Sequence, residues 1–413
     1  MTANQYDVLI IGGGASGMMA AGVAASRGRR VLLLEQNARM AEKLRISGGG
    51  RCNILNAEKD EKKLLANFAG AEQFLYSSFA QFGMKASYDF FESRGLPLTV
   101  QANNRAFPKS EKALDVVLAL DAYMAEGKVR VKTRTKTDEI LCEDGKITSV
   151  VASGKTYTAD SYLIATGGLS HPETGSTGDG FEWLQTLGHS VKSPTPTIVP
   201  LKVRESWVKR LSGKTLPDVK MTFFVSGKKK MAKTGTLLCT HFGLSGPTIL
   251  NLAGEVSDYL QEGTVTATID LFPDMDLGIL DRHLTSVFDE NKNKLLRNVF
   301  KLLTPAGTTD VILSLIDSID IDTKVHSILK AQRRALAEHL KALPVSIDGL
   351  MGFDKAVVAD GGVPLDEVDM KTMRSLKISN LYLTGDILNI PRPSGGYSLQ
   401  LCWTSGFVAG HHC

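Results

Sequence analysis

A glycine-rich segment near the start of the chain constrains the fold most strongly. Gly12, Gly14 and Gly17 are spaced as G-x-G-x-x-G. They follow the apolar run 6–11, which predicts a buried parallel strand, and precede the small-residue segment 15–27, which predicts a helix. In such a unit the first glycine permits a tight turn, the second admits a pyrophosphate to the backbone, and the third allows close helix–strand packing. The segment therefore predicts a Rossmann-type dinucleotide-binding domain.

The predicted second strand, 30–35, ends in Glu35. A carboxylate there can accept a hydrogen bond from a ribose 2′-hydroxyl, and it would repel the 2′-phosphate of NADP. The free N–H groups and partial positive charge at the start of the first helix suit the phosphates. A Rossmann-like turn that binds nothing is the alternative. Strand, helix, second strand and terminal acid together favour a dinucleotide site.

Two further segments indicate which dinucleotide binds. The loop 43–53, KLRISGGGRCN, exposes backbone N–H donors at its glycines, and Arg51 and Asn53 add polar contacts. Near the C-terminus a strand ends in Gly-Asp386, and a glycine-led helix opens at 393–397. Asp386 would bond a ribityl hydroxyl, and the helix N-terminus would stabilise negative charge on a reduced flavin. These features favour FAD.

The predicted FAD-binding residues come from the two glycine loops, from the TGG segment after the predicted buried strand 161–165, and from the C-terminal segment. They are Gly12, Gly14, Ala15, Ser16, Gly17, Glu35, Lys43, Ser47, Gly49, Gly50, Arg51, Cys52, Asn53, Thr166, Gly167, Gly168, Gly385, Asp386, Gly395, Gly396 and Tyr397.

Composition divides the chain further. The segment 193–200, SPTPTIVP, predicts an extended crossover, and beyond it strand-like stretches precede a mostly helical region. We therefore predict an α/β protein in which a Rossmann-type FAD-binding domain is interrupted by an inserted β-rich domain with a helical subdomain. The predicted boundaries are 1–195 (FAD-binding domain, first part), 196–275 (inserted β-rich domain), 276–344 (helical subdomain) and 345–413 (FAD-binding domain, second part).

Five stretches carry a family resemblance: IIGGGASGMMAA, KLRISGGGRCNI, ATGGLSHPETGSTGDGF, THFGLSGPTIL and LYLTGDILNIPRPSGGYSLQLCWTSGFVAG. They resemble the aminoacetone-oxidase-type FAD-binding enzymes, also known as BaiN-like or YhiN-like NAD(P)/FAD-dependent oxidoreductases. The resemblance implies a two-part FAD domain, a β-rich insertion and a helical subdomain. The run 389–394 departs from the more acidic family pattern, and its Arg392 suggests a different substrate charge preference.

Charge and cysteine usage bear on partners and compartment. The 48 basic and 44 acidic side chains nearly balance, so we expect no nucleic-acid partner. The five cysteines are scattered without a CxxC pair, as expected for reduced thiols in the cytoplasm. No apolar run predicts a membrane span, no signal peptide is evident, and no metal site is expected. The oligomeric state stays open.

Three residues are candidates for catalysis. His241 stands beside a glycine-rich turn before a predicted helix, where it would act as an acid or base on a substrate, or else cap that helix. Tyr397 is either a proton donor or a packing aromatic. Cys52 follows the glycine loop and would serve as a thiolate near the flavin or simply pack in the interior. It has no partner cysteine for a disulfide-reductase mechanism.

The leading functional hypothesis is an oxidoreductase that moves hydride between a small organic molecule and flavin N5. In one version NAD(P)H, as a transient co-substrate, reduces the flavin, which then reduces an enone or similar acceptor. In the other version the flavin oxidises a small amine and oxygen reoxidises it. An FAD-dependent RNA-modifying factor and a flavoprotein without turnover are the remaining hypotheses. Support for RNA comes only from basic side chains at 228–230, Lys324, Lys330, Arg333 and Arg334.

Overall fold

A computed structural model describes residues 6–316 and 319–413. The chain divides into two compact units. The first unit contains the described residues up to Pro196 together with Ala356–Cys413, and the second contains the described residues of Thr197–Lys355. The strands are β1 (Tyr6–Ile11), β2 (Val31–Leu34), β3 (Leu55–Asn56), β4 (Leu98–Gln101), β5 (Arg105–Pro108), β6 (Arg130–Lys132), β7 (Thr137–Glu143), β8 (Lys146–Ala152), β9 (Lys155–Tyr157), β10 (Ala159–Ile164), β11 (Lys192–Pro196), β12 (Leu201–Val203), β13 (Thr215–Val225), β14 (Lys228–Cys239), β15 (Gly243–Ser245), β16 (Val265–Asp270), β17 (Leu343–Leu350), β18 (Ala359–Gly362) and β19 (Leu381–Leu383).

The α-helices are distributed over both units. They are α1 (Ala15–Ser26), α2 (Glu42–Ile46), α3 (Glu61–Leu65), α4 (Glu72–Phe82), α5 (Met84–Ser93), α6 (Ala113–Glu126), α7 (Asp179–Thr186), α8 (Ser206–Arg210), α9 (Pro247–Glu262), α10 (Leu277–Glu290), α11 (Leu296–Val299), α12 (Thr309–Leu313), α13 (Lys330–Lys341) and α14 (Tyr397–His412). Short 3₁₀ turns include Ser47–Gly50 and Gly385–Ile387.

The first unit is built on a parallel sheet with strand order β19-β10-β1-β2-β6. β2 is buried along its whole length, as expected for a parallel strand covered on both faces. Because all five strands are parallel, the carboxyl ends of β1, β10 and β19 lie side by side at one edge of the sheet. In doubly wound folds this edge is where ligands bind.

Close packing of α1 against α14 brings the two ends of the chain together in the first unit. A Cβ at Gly406 would lie 2.5 Å from the Ser16 carbonyl oxygen, and one at Gly410 would lie 2.4 Å from the Ala20 carbonyl oxygen. These two glycines lie on one face of α14, so they let the helix backbones approach closely. The C-terminal half of α14 therefore packs directly on α1.

Three small antiparallel sheets complete the first unit. Their strand orders are β3-β5-β4, β7-β8-β9 and β11-β18. The last of these joins the two chain segments of the unit, because β11 precedes the insertion and β18 follows it.

The second unit is a closed antiparallel barrel with strand order β12-β15-β14-β13-β16-β17. Side chains of α10 to α13 share one hydrophobic core with the barrel strands. The predicted boundary between residues 344 and 345 falls inside β17, whereas the unit ends at Lys355. The reason is that β17 pairs with both β12 and β16 and closes the barrel. The fold class, a Rossmann-type α/β domain with an additional β-rich region, is confirmed.

Across residues 6–316 and 319–413, no helix is long and apolar enough to cross a membrane.

Candidate functional site

The first glycine turn has a different steric constraint at each glycine. Gly12 has a φ of 106°, and a Cβ there would lie 2.5 Å from the Ala165 carbonyl oxygen. A Cβ at Gly17 would lie 2.0 Å from the Gly12 carbonyl oxygen. A Cβ at Gly14 would meet no atom within 4 Å. At Gly12 and Gly17 a side chain would therefore clash with the backbone, whereas the space beside Gly14 is open to an approaching group.

Gly14 is also the residue that precedes α1. No side chain caps this helix, and its first turn, which includes Ala15 and Ser16, carries no acidic residue. The first backbone N–H groups of a helix lack partners within the helix, and the helix dipole adds positive charge there. The open space beside Gly14 therefore meets N–H donors suited to an anion such as a pyrophosphate.

Glu35 lies just beyond β2 and is only 7% exposed. Its two oxygens accept backbone N–H bonds from Gly13 at 2.8 Å and from Asn37 at 2.7 Å. Burial raises the pKa of this carboxyl above its ordinary value, although both hydrogen bonds act in the opposite direction. Because a carboxylate has about four acceptor positions, Glu35 retains capacity for a ribose hydroxyl.

The second glycine loop places three consecutive glycines in left-handed backbone. Gly48, Gly49 and Gly50 have φ values of 57°, 68° and 84°. A Cβ at Gly49 or Gly50 would meet no atom within 4 Å, and both residues are exposed. Ser47 begins this turn and donates its hydroxyl to the Leu44 carbonyl at 2.7 Å. The loop thus presents bare backbone to its surroundings, as the sequence predicted.

Arg51 and Cys52, which follow the three glycines, have different environments. The Arg51 guanidinium lies 2.9 Å from Glu111 and stacks 4.5 Å from the ring centre of Phe107. Cys52 is fully buried, and desolvation raises the pKa of its thiol to about 12. Cys52 is therefore a thiol at neutral pH, which favours the packing interpretation over the thiolate interpretation.

Asp386 is the centre of a buried charge cluster at the end of β19. Its Oδ2 lies 3.1 Å from Lys43 Nζ, and its Oδ1 bonds Arg392 Nη2. Lys43 also bonds the hydroxyl of Ser170, which is 1% exposed. Burial would raise the pKa of Asp386, but Arg392 and Lys43 outweigh it and hold the pKa below its ordinary value. Asp386 is therefore an anion at neutral pH.

Arg392 has a different environment from the one expected. Its side chain is 1% exposed, and its other nitrogens donate to the Ile390 carbonyl at 2.6 Å and to the Ser398 hydroxyl at 3.0 Å. The expectation that Arg392 signals a substrate charge preference is therefore wrong. The guanidinium is held inside the first unit by Asp386 and two neutral acceptors.

Asparagines anchor the glycine turn that opens α14. In the amide orientation that satisfies both of its ends, Asn53 Oδ1 accepts from the Gly396 N–H at 2.9 Å. Asn56 Nδ2 donates to the Gly395 carbonyl at 3.1 Å. A Cβ at Gly396 would lie 2.4 Å from the Leu55 carbonyl carbon, so only glycine fits. The N-terminus of α14 has no side-chain cap and no acidic residue in its first turn.

The TGG segment after β10 lies at the same edge of the sheet. Gly167 has a φ of 76°, and a Cβ at Gly168 would lie 3.3 Å from the Asp386 carbonyl oxygen. Thr166 Oγ1 and Thr384 Oγ1 are buried and have no hydrogen-bond partner among the described residues. Gly385, beside Thr384, approaches the Ser16 side chain so closely that a Cβ would lie 2.7 Å from Ser16 Oγ. The ends of β1, β10 and β19 therefore converge on α1.

The catalytic candidates fall in different units. Tyr397 is half-buried, contacts Phe68 edge to face, and has its pKa raised by burial, so it is protonated at neutral pH. His241 is exposed in the second unit and its ring contacts Phe242. The helix after it, α9, has Gly246 as its N-cap with no side-chain cap, so the capping interpretation of His241 is wrong.

Sequence reasoning missed Ser170, Asn56 and Ser405 as supports of the site. Ser405 accepts the Gly385 N–H at 3.0 Å. Each of these residues lies far along the chain from the group it holds, and no local pattern marks such a pairing. Within the described parts of the chain, no group of three or more His, Cys, Asp and Glu side chains is placed to hold a metal ion.

Comparison with known proteins identifies the family. The model of the HI0933-like protein Rossmann domain matches residues 6–412. The chain belongs to this family. The predicted oxidoreductase family is thereby confirmed, and the chain is an FAD-dependent oxidoreductase.

Relatives match over nearly the whole chain. A 3-dehydro-bile acid delta(4,6)-reductase of Clostridium scindens is 29% identical over 97% of each chain. A ribosomal RNA dihydrouridine synthase of Escherichia coli is 28% identical over 98% of this chain and 97% of its own. Among solved structures, a 3-ketosteroid delta1-dehydrogenase of Sterolibacterium denitrificans matches with a TM-score of 0.57 and 14% identity, covering 98% of this chain and 99% of its own. At that identity the likeness shows the fold alone.

Proposed function

We propose that the protein uses FAD to reduce a carbon–carbon double bond conjugated to a carbonyl group. One observation carries the proposal: two relatives that match nearly the full chain are named for the saturation of such a bond. The delta(4,6) bonds of a 3-oxo steroid and the double bond of the uracil ring are both conjugated to a carbonyl. Because the two named substrates differ so much, we infer that the relatives share the reaction at the flavin rather than the substrate.

We propose that residues of the first unit hold the pyrophosphate, the ribose, the ribityl chain and the flavin of FAD. The uncapped start of α1, with the open space beside Gly14, suits the pyrophosphate. Glu35 would accept a hydroxyl of the adenosine ribose, and Asp386 would accept a ribityl hydroxyl. The open backbone of the loop at Gly49 and the turn before Tyr397 would receive the flavin. The unpartnered hydroxyls near this edge also suit a polar ligand.

When bound, FAD would supply hydride chemistry at N5: one carbon of the double bond would receive a hydride and the other a proton, with NAD(P)H as the source of the two electrons. The chain itself contributes orientation and charge. The uncapped N-terminus of α14 places positive dipole charge beside the turn 395–397. Tyr397 carries a proton at neutral pH and would donate it at this turn.

We propose a small organic molecule as the substrate and the cytoplasm as the compartment. The five cysteines are free, and four of them are buried, which fits a reducing environment. Both arginines proposed as part of an RNA surface have an acidic partner within the second unit. Arg333 lies 2.8 Å from Asp281, and Arg334 lies 3.2 Å from Glu338.

RNA is the second candidate substrate, favoured by the name of the dihydrouridine synthase relatives and by one surface feature. The lysines at 228–230 begin β14, and Lys233 follows on the same strand; all four are exposed. Lys230 pairs with Glu262 at 2.6 Å. Such lysines also protect a strand edge from aggregation, so they do not require a nucleic acid. A steep fall in RNA affinity with rising salt would favour this candidate.

The test of the electron donor is an anaerobic titration of the purified holoprotein with NADH and with NADPH, followed through flavin absorbance. We expect rapid bleaching with one of them. A flavin that stays oxidised with both, yet is reduced by small amines, would contradict the reductase and support an amine oxidase. Matched titrations without protein exclude direct reduction of free FAD.

A further inference from the structure

Arg392 is the most deeply buried cation of the charge cluster in the first unit. Its side chain is 1% exposed, and each of its three nitrogens has a partner within the unit. Burial of a guanidinium is costly unless a counter-charge and hydrogen bonds satisfy it. Asp386 supplies the counter-charge. The arrangement therefore has a defined geometry that Lys, with a single point charge, would reproduce only in part.

The guanidinium connects two elements of the proposed FAD site. Through Nη2 it holds Asp386 Oδ1 at the end of β19, and through Nε it holds the Ser398 hydroxyl in the first turn of α14. Lys43 of α2 holds the second oxygen of Asp386. Each carboxylate oxygen thus has its own cation, and this fixes the plane of the carboxyl group. The Cys402 thiol also faces the cluster, and its pKa is raised to about 12, mainly by burial.

We propose that Arg392 is a positioning residue for FAD: it fixes the orientation and the ionised state of Asp386 and ties that carboxylate to the N-terminal turn of α14. This inference rests on the FAD site of the proposed function. Asp386 then meets the ribityl chain as a preorganised acceptor, so FAD binding does not bear the entropy cost of ordering this side chain. Lys43 alone would hold one oxygen and leave the other free to rotate.

The test measures the FAD dissociation constant of the full chain between about pH 5 and pH 8, a range above the ordinary pKa of an aspartate. The variants are Arg392→Met, Arg392→Lys, Asp386→Asn and the double variant Arg392→Met/Asp386→Asn. Arg39→Met is the matched control, because Arg39 is 68% exposed and pairs with Glu42 on the surface. Far-ultraviolet circular dichroism of each apoprotein reports whether it is folded.

We expect Arg392→Met to weaken FAD binding at least about tenfold, as for one partner of a buried charge pair. The loss should grow as the pH falls, because Asp386 without Arg392 takes up a proton at higher pH. Arg392→Lys should restore part of the affinity and remove most of this pH dependence. In the Asp386→Asn background, Arg392→Met should weaken FAD binding little further, since Arg392 acts through the carboxylate that is already absent. Arg39→Met should bind as the wild type does.

Two results would overturn the inference. One is an Arg392→Met protein that binds FAD with unchanged affinity and no new pH dependence. The other is an equal loss in the Asp386→Asn background, which would mean that Arg392 acts only through packing and Ser398. If Arg392→Met does not fold, the pH dependence of the FAD dissociation constant is compared between Arg392→Lys and Asp386→Asn instead. A wild-type protein that holds FAD but reduces no conjugated double bond would defeat the proposed function and leave this inference intact.

Discussion

Replacing Gly14 by alanine should separate cofactor binding from folding. The new Cβ would meet no protein atom within 4 Å, and the backbone at φ −82°, ψ −171° suits alanine. An alanine here gains about 0.4–1 kcal/mol because the unfolded chain loses freedom, but it loses a similar amount because glycine is the better residue before a helix. The apoprotein should therefore unfold close to the temperature of the wild type.

The same methyl group stands where the proposed pyrophosphate approaches the start of α1. Losing one hydrogen bond to a charged group costs about 1.5–3 kcal/mol. FAD should therefore bind about ten- to hundredfold more weakly. Gly17→Ala is the matched contrast, since its Cβ would lie 2.0 Å from the Gly12 carbonyl oxygen. Overpacking of this kind costs about 1–3 kcal/mol, so this variant should lose stability even without FAD.

The assay pairs thermal unfolding of the apoproteins with fluorescence titration by FAD. At about 2–4 °C per kcal/mol for a unit of this size, the Gly17→Ala shift is measurable. Gly14→Ala binding FAD as tightly as the wild type would refute the placement of the pyrophosphate. Gly14→Ala unfolding at a clearly lower temperature would refute the open space beside Gly14.

Three further predictions follow from the first unit. Cys52→Ala should keep its bound FAD and most of its turnover, because Cys52 is a buried thiol with a pKa of about 12; loss of turnover with FAD retained would contradict this. Tyr397→Phe should keep FAD but lower the rate of substrate reduction more than the rate of flavin reduction by NAD(P)H, with the two half-reactions measured separately. If the mutation changes both rates by the same factor, Tyr397 is excluded as the proton donor. The free energy of unfolding, measured by urea titrations at several pH values, should fall as the pH drops below about 6.5, because burial lowers the pKa of His189. It should fall further between about pH 4.5 and about pH 2, because hydrogen bonds from Lys377, Ser190 and His189 lower the pKa of Glu367 to about 2 against the opposing effect of burial. In both groups the folded state binds fewer protons than the unfolded chain, so stability that rises towards low pH would contradict the assignment.

Local patterns predicted the parts of the site that depend on neighbouring residues. The roles of Gly12, Gly14 and Gly17 follow from spacing, because each acts on atoms fixed by the strand and helix beside it. The exposed backbone of the loop at Gly49 and the packed state of Cys52 were likewise expected from the sequence.

Particular side-chain pairings were beyond prediction, whether the two partners are near or far in the chain. The bond of Arg392 to Asp386 depends on which way a side chain turns in a buried loop, and the sequence suggested an arginine facing substrate. The hold of Asn56 on Gly395 joins residues far apart in the chain. The boundary inside β17 was misplaced for a similar reason, since only barrel closure shows that this strand belongs with β12 and β16.

The central claim, reduction of a conjugated carbon–carbon double bond, is tested most directly by a single anaerobic half-reaction. The bound flavin is photoreduced with a sacrificial electron donor such as EDTA, without any pyridine nucleotide. It is then mixed with a 3-oxo-4,6-diene steroid or, in a parallel experiment, with uridine-containing RNA. We predict that the steroid reoxidises the flavin and yields a product heavier by two hydrogens. Reoxidation by the RNA but not by the steroid would support the same reaction on RNA, the second candidate substrate. A flavin that stays reduced with both acceptors, yet reoxidises at once in oxygen, would contradict the account.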